Sequence, residues 1–373
     1  MMRYGRAWWL LAAALLLLSA TSGWASALGT WGTPFTTDAY GNEIYRGTMI
    51  GNPAGGPGDD GGIGSGSQSS ADVWVGGAAT DPVPTSSWTY GCSATSAGMM
   101  FGYYDRLLYT NMYAGPANGG LAPLADLGNQ CSIIATMNGF DGRATFGHVD
   151  DYWTGYGNGG PDPWVGNWAE HAWDACTADF MGTNQWKWDY SPWPAGDGVI
   201  DSNVDGGTSL FWYTTPALRL YDYMPPAANG LPRTEMTHGL RLFAEDRGYT
   251  LQDTVDPWGN PTKDVYTQMT DNMGTGGFSF SNYMWEIDNG YPVLIQVVGH
   301  TMVGVGYSAD AKTVLLHDTW GDYVGSMAWG GYYSGMEMEA VTVMHMNPAP
   351  EPATLVLLLS AAVPFGIRKL RKR

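Results

Sequence analysis

Between Trp285 and Asp322 the chain reads WEIDNGYPVLIQVVGHTMVGVGYSADAKTVLLHDTWGD, and this stretch constrains the fold more than any other. A short helix end, Trp285 to Asn289, stops at Gly290, and three β-rich runs follow: Val293 to Val298, Met302 to Tyr307 and Thr313 to Leu316. The last two are joined by the turn Ser308-Ala309-Asp310-Ala311-Lys312, which is too short for the crossover that parallel neighbours need. The reading is therefore antiparallel. His300 opens the second run and Asp318 follows the third, so neighbouring strands can bring the two side by side.

A second stretch, Tyr90 to Arg106, reads YGCSATSAGMMFGYYDR. Ala97, Met100, Phe101, Tyr104, Leu107 and Leu108 recur at intervals of three and four, which predicts an amphipathic helix with one buried stripe. Cys92 falls at its N-terminus. Unpaired N–H groups and the positive end of the helix dipole there favour a thiolate over a thiol. The alternative is a cysteine that is only a small buried hydrophobe. A thiolate, an imidazole that takes and returns its proton, and an acceptor that fixes the imidazole tautomer make up the set needed for covalent acyl transfer.

The run Gly-Cys-Ser-Ala-Thr-Ser-Ala-Gly-Met-Met followed by Gly-Tyr-Tyr-Asp resembles the nucleophile helix of papain-like peptidases related to bacteriocin-leader processing enzymes, the C39-like type. The runs Ile-Asp-Asn-Gly-Tyr-Pro-Val-Leu-Ile, Gly-His-Thr-Met-Val-Gly-Val-Gly-Tyr and His-Asp-Thr-Trp-Gly are similar to the histidine and aspartate segments of that group. The order Cys, His, Asp agrees with it. The resemblance implies Cys92 as nucleophile, His300 as general base and Asp318 as orienter. Such enzymes usually carry a glutamine some six residues before the cysteine, whose amide helps bind the oxyanion, whereas this chain has Ser86 there. The oxyanion hole would then rest on the backbone N–H of Cys92 and a second, unassigned donor. Losing one such donor commonly costs about a hundredfold in rate.

The N-terminus reads as an export signal, residues 1–27. Arg3 and Arg6 precede the apolar run Ala7 to Leu18, and Ala25-Ser26-Ala27 offers a cleavage site before Leu28. From Leu28 to Pro350 there are 10 of the 17 basic and 34 of the 35 acidic residues, a balance of −24. A surface so acidic argues against nucleic acid and anionic membrane as partners. An N-terminal segment and linker occupy 28–70. Within it Thr30 to Tyr45 carries few signals, and GNPAGGPGDDGGIGSGSQSS, Gly51 to Ser70, is too poor in apolar side chains to offset its chain entropy. The main domain is expected over 71–347, with Val73-Trp74-Val75 as a possible first strand.

A loop-rich insertion over about 111–231 is dense in Trp, Gly and Asp. Ser132 to Met137 and Trp164 to Phe180 read as short helices and Leu210 to Thr214 as a strand. Cys131 and Cys176 form the candidate disulfide, two buried thiols being the other reading. Asp197, Asp201, Asn203 and Asp205, followed by Gly206, resemble the first half of a calcium loop, but Trp212 stands where its bidentate glutamate belongs. An Asp/Asn/Gly-rich surface turn is the stronger reading, and no cofactor is otherwise expected. His148, His171, His238 and His345 lack complete ligand sets and read as structural polar residues. His317, adjacent to Asp318, should point to the opposite face of its strand and is not the candidate base. Thr234 to Arg247 predicts an amphipathic helix with Met236, Leu240, Phe243 and Ala244 inward and Gly248 after its C-terminus.

The C-terminal segment, 348–373, joins Pro350-Glu351-Pro352 to an apolar run, Ala353 to Ile367, and the cluster Arg368-Lys369-Leu370-Arg371-Lys372-Arg373. That run would be about 22 Å long as a helix, short for a full bilayer crossing. The tail resembles the PEP-CTERM sorting signal, which implies recognition by an exosortase at the inner membrane and delivery to the cell surface or extracellular matrix. The expectation is an exported, papain-like α+β protein whose nucleophile helix packs on an antiparallel sheet. It would hydrolyse a peptide or related amide bond in a peptide or protein substrate. The alternative is a non-catalytic surface or matrix protein that binds polysaccharide through its tryptophans.

Overall fold

The structure, a computed structural model, describes residues 34–49, 71–86, 91–107, 109, 112, 122, 124–126, 177–181, 208–225 and 235–348. The Trp285 to Asp322 stretch lies at the middle of a nine-stranded sheet. Its strands are β1 (Asp72–Trp74), β2 (Leu220–Tyr221), β3 (Val265–Met269), β4 (Val293–Val297), β5 (His300–Ser308), β6 (Thr313–His317), β7 (Gly325–Ala328), β8 (Tyr332–Tyr333) and β9 (Met336–Met344). They run β7-β6-β5-β4-β9-β3-β2, with β1 added to β5 and β8 to β9. Every pairing is antiparallel, as the short connections between β4, β5, β6 and β7 require for those neighbours. Each residue of β3 and β4 is buried, the polar Thr267, Gln268 and Gln296 included, so neither strand has a solvent face.

Helices α1 (Cys92–Arg106), α3 (Met236–Asp246) and α4 (Phe280–Asp288) pack against this sheet, and the short helix α2 (Thr177–Met181) packs against α1 and α3. The fold is α+β. On α3 the expected inward residues Met236, Leu240, Phe243 and Ala244 are all buried, and Gly248 follows the helix. Helix α4 is started by a reciprocal capping box between Ser279 and Asn282.

Helix α1 departs from its expected pattern. Every residue from Cys92 to Asp105 is buried, so there is no solvent face, and Leu107, placed on the buried stripe by its spacing, is 45% exposed. The polar residues that mimic a wet face are satisfied internally: Thr95 Oγ1 donates to the Gly91 carbonyl at 2.8 Å and Ser96 Oγ to the Thr301 carbonyl at 3.1 Å. Polar is not the same as exposed.

A second, three-stranded antiparallel sheet joins Thr36–Thr37, Glu43–Met49 and Thr208–Tyr213. The weakly signalled N-terminal stretch thus supplies two strands, and the expected Leu210 to Thr214 strand is the third. Two hairpin tips share one pattern, Asp38-Ala-Tyr-Gly-Asn42 and Asp256-Pro-Trp-Gly-Asn260. In each, the aspartate Oδ1 accepts from the backbone N–H groups two and four residues on, at 2.8 to 2.9 Å. The tips meet through their aromatic rings. Tyr40 and Trp258 stack at 4.5 Å with 4° between planes, and Asn260 Nδ2 donates to Tyr40 Oη at 2.9 Å.

The expected signal peptide, the Gly-rich linker, Ser132 to Met137, His148, His171, Cys131, Cys176, Asp197, Asp201, Asn203, Asp205 and the apolar run 353–367 lie outside the described residues. Trp212, in the twelfth place of the calcium-like pattern, is a buried residue of the Thr208–Tyr213 strand, so no helix follows that loop as it would in a calcium hand. Among the described residues no helix is long and apolar enough to cross a membrane.

Candidate active site

Gly91 adopts φ +114°, a region closed to side-chain-bearing residues, and the turn it makes presents Cys92 as the first residue of α1. The Cys92 sulfur reaches β5, where the Thr301 N–H donates to it at 3.3 Å. Thr301 directly follows His300. The Cys92 sulfur is thus bonded to the main chain of the residue that follows His300, and no hydrogen bond joins it to the His300 ring among the described residues.

His300 Nε2 lies 2.8 Å from the backbone carbonyl oxygen of Asp318. A carbonyl only accepts, so Nε2 carries the proton and, in the neutral ring, Nδ1 holds the lone pair. Nδ1 has no partner among the described residues. Burial pushes the His300 pKa down to about 4, against a smaller upward pull from Asp318, so the ring is neutral at physiological pH. The Trp320 indole stacks on it with centroids 4.6 Å apart and planes 14° apart.

Two expectations are corrected here. Asp318 supplies the acceptor through its main chain, not its carboxylate. The carboxylate instead accepts from Trp320 N–H at 2.9 Å, Tyr323 Oη at 2.5 Å and Tyr333 Oη at 2.6 Å, which pins the loop that carries the carbonyl. The second correction concerns the thiol. Cys92 is 0% exposed, and burial raises its pKa in spite of the opposing hydrogen bonds from Thr301 and Ser93. Desolvation outweighs the helix terminus, so Cys92 is held as a neutral thiol, as His300 is held as a neutral imidazole.

His317 faces away from His300, as its place on β6 implies. Its Nε2 meets the Asp81 carboxylate at 2.8 Å and its Nδ1 the Tyr323 carbonyl at 3.1 Å. The Asp81 carboxylate favours the charged form of the ring. Burial lowers its pKa, but Asp81 together with the Tyr323 and Val83 main chain turns the net shift upward. Ser86 is buried, with its N–H on Met99 Sδ at 3.3 Å.

Several site residues had no signal of their own in the sequence. Ser93 Oγ lies 2.8 Å from Thr301 Oγ1, which donates to Gln296 Oε1 at 2.7 Å. Gln296 and Thr301 are direct cross-strand neighbours on β4 and β5. Their pairing follows from register, which a linear pattern does not display. The phenols of Tyr323 and Tyr333 were likewise hidden among the many aromatics.

Residues 234–334 match the family model described as Peptidase_C39 like family. The C39-like region runs from the start of α3 through β8 and includes Gln296, His300, Thr301 and Asp318, whereas Cys92 and Ser93 lie before it. This supports a C39-like peptidase domain and a cysteine peptidase-like function. Comparison with curated proteins and with solved structures found no match.

Proposed function

We propose that this chain is an exported, papain-like cysteine peptidase of the C39-like type that cleaves a peptide or related amide bond through an acyl-enzyme on Cys92. Two observations support the reading: the Thr301 N–H on the Cys92 sulfur at 3.3 Å, and a ring on the preceding residue, His300, whose Nδ1 is left as the lone-pair nitrogen. In the reaction the thiol proton passes to Nδ1 as sulfur adds to the substrate carbonyl carbon. Nε2–H stays on the Asp318 carbonyl, and the same proton then leaves with the amine. Water hydrolyses the thioester and restores the thiol. The Cys92 N–H at the helix start is one oxyanion donor.

Full burial of Cys92 favours a second reading, a non-catalytic module that keeps the fold and contacts polysaccharide. Alkylation separates the two. For the peptidase, iodoacetamide should modify Cys92 in the native protein, with a rate that drops in His300→Ala. A thiol that reacts only after denaturation, or at a rate indifferent to His300, would reject the peptidase. Export by the N-terminal signal and surface delivery by an exosortase acting on the tail are part of the proposal. Their test is the mass of the mature protein, which should lack residues 1–27 and the C-terminal run.

A further inference from the structure

The carbonyl that fixes the His300 tautomer belongs to the peptide unit joining Asp318 to Thr319, and that unit is held in an unfavourable conformation. Thr319 has φ +71°, and of the four described non-glycine residues with positive φ it alone is β-branched. For such a residue the left-handed region is an outlier, because Cβ crowds the carbonyl that follows it. Thr319 is also fully buried, yet neither its N–H nor its Oγ1 has a hydrogen-bond partner among the described residues. Strain and two unpaired polar groups therefore meet in one residue, directly after the one whose carbonyl holds the proposed base.

Rotation of this single peptide unit would remove the strain. The unit is planar and turns as a body between its two Cα atoms. A half-turn carries φ of Thr319 to about −110°, inside the extended region that β-branched residues favour. The C=O and N–H of a trans peptide point in opposite directions, so the Asp318 carbonyl would leave His300 Nε2 and the Thr319 N–H would take its place. One ring contact is exchanged for another. The bonds that pin the loop join the Asp318 carboxylate to Trp320 N–H, Tyr323 Oη and Tyr333 Oη, all outside the rotating unit. They can persist in both settings, as can the stack of Trp320 on the His300 ring.

The ring proton has to follow the rotation. A carbonyl facing Nε2 requires Nε2–H and leaves the lone pair on Nδ1, whereas an N–H facing Nε2 requires the lone pair there and puts the proton on Nδ1. We propose that Thr319 is the positioning residue of His300: its strained backbone gives the Asp318–Thr319 peptide two settings, one that leaves Nδ1 free to act as base and one that blocks it. The consequence for catalysis rests on the acyl-transfer reading above, but the two settings themselves do not.

The test reads the ring directly. Nitrogen NMR of the full chain carrying isotope-labelled histidine, at neutral pH where the His300 ring is uncharged, distinguishes a protonated ring nitrogen from one holding the lone pair. Exchange measurements then detect a minor form. The His300 signals are those missing from His300→Ala. In the wild type the Nε2–H form should exchange with a minor Nδ1–H form. Thr319→Gly and Thr319→Asn both tolerate left-handed φ and should reduce the minor population about tenfold. Thr319→Val keeps the branched Cβ without the hydroxyl and should match the wild type. No minor form in the wild type, or a population that the Gly and Asn variants leave unmoved, would overturn the proposal. So would a Thr319→Val that behaves like Thr319→Gly, since the hydroxyl and not the backbone would then set the ring. If instead His300→Ala leaves Cys92 alkylation unchanged, the acyl-transfer reading fails, whatever the ring exchange shows.

Discussion

His300 and Asp318 are joined through the main chain: ring Nε2 to peptide carbonyl, 2.8 Å. The orienting acceptor is thus independent of the residue type at 318, which contributes instead by holding its loop with the phenols of Tyr323 and Tyr333. Asp318→Asn should leave the pH profile of Cys92 alkylation close to that of the wild type. It should lower stability by about 1 to 3 kcal/mol, since an amide cannot accept all three bonds and its NH2 meets a donor. Urea unfolding together with the alkylation profile checks both halves. A profile that collapses while stability is kept would restore the carboxylate to the orienting role.

His345 lies between two carboxylates, with Nδ1 2.7 Å from Asp264 and Nε2 2.7 Å from Glu286. Burial lowers its pKa, but the two acids outweigh this and raise it to about 9. Because the folded value lies above the unfolded one of about 6.5, the native state binds the extra proton. The resulting stability is fully present below about pH 6.5 and is lost as pH rises through about 9. His345→Gln should be less stable than the wild type by on the order of 2 kcal/mol at pH 6, with the gap closing by about pH 9 to 10. Melting temperatures of the pair across that range would reveal a gap that fails to close.

Gly239, inside α3, has the backbone of α2 against it. An added Cβ would lie 2.5 Å from the Phe180 carbonyl oxygen and 3.1 Å from the Met181 Cα. Alanine gains about 1 kcal/mol of helix propensity over glycine, but these neighbours are main chain and cannot swing aside. Gly239→Ala should therefore destabilise by about 1 to 3 kcal/mol. Denaturant titration checks the sign, and a stabilised variant would mean that α2 can shift.

Most of the sheet centre was legible because the β-rich runs are apolar apart from Gln296 and the connections between them are short. Helix α3 was legible because its far face is wet. Helix α1 misled because Ser93, Thr95 and Ser96 find their partners inside the protein, so its periodicity described chemistry and not exposure. The acceptor on His300 was invisible for another reason: every residue has a carbonyl, and only the loop geometry after β6 selects that of Asp318. Gln296 looked like a polar interruption in an apolar strand, and its purpose emerges only from its cross-strand register with Thr301.

The clasp of Tyr40 on Trp258 and the pairing of Glu43–Met49 with Thr208–Tyr213 fasten the amino-terminal hairpin to distant parts of the chain. Scission anywhere in 51–70 would accordingly not shed that piece. The nicked molecule should elute as one particle and come apart into two fragments only when unfolded, so trimming at this position cannot by itself work as a release switch.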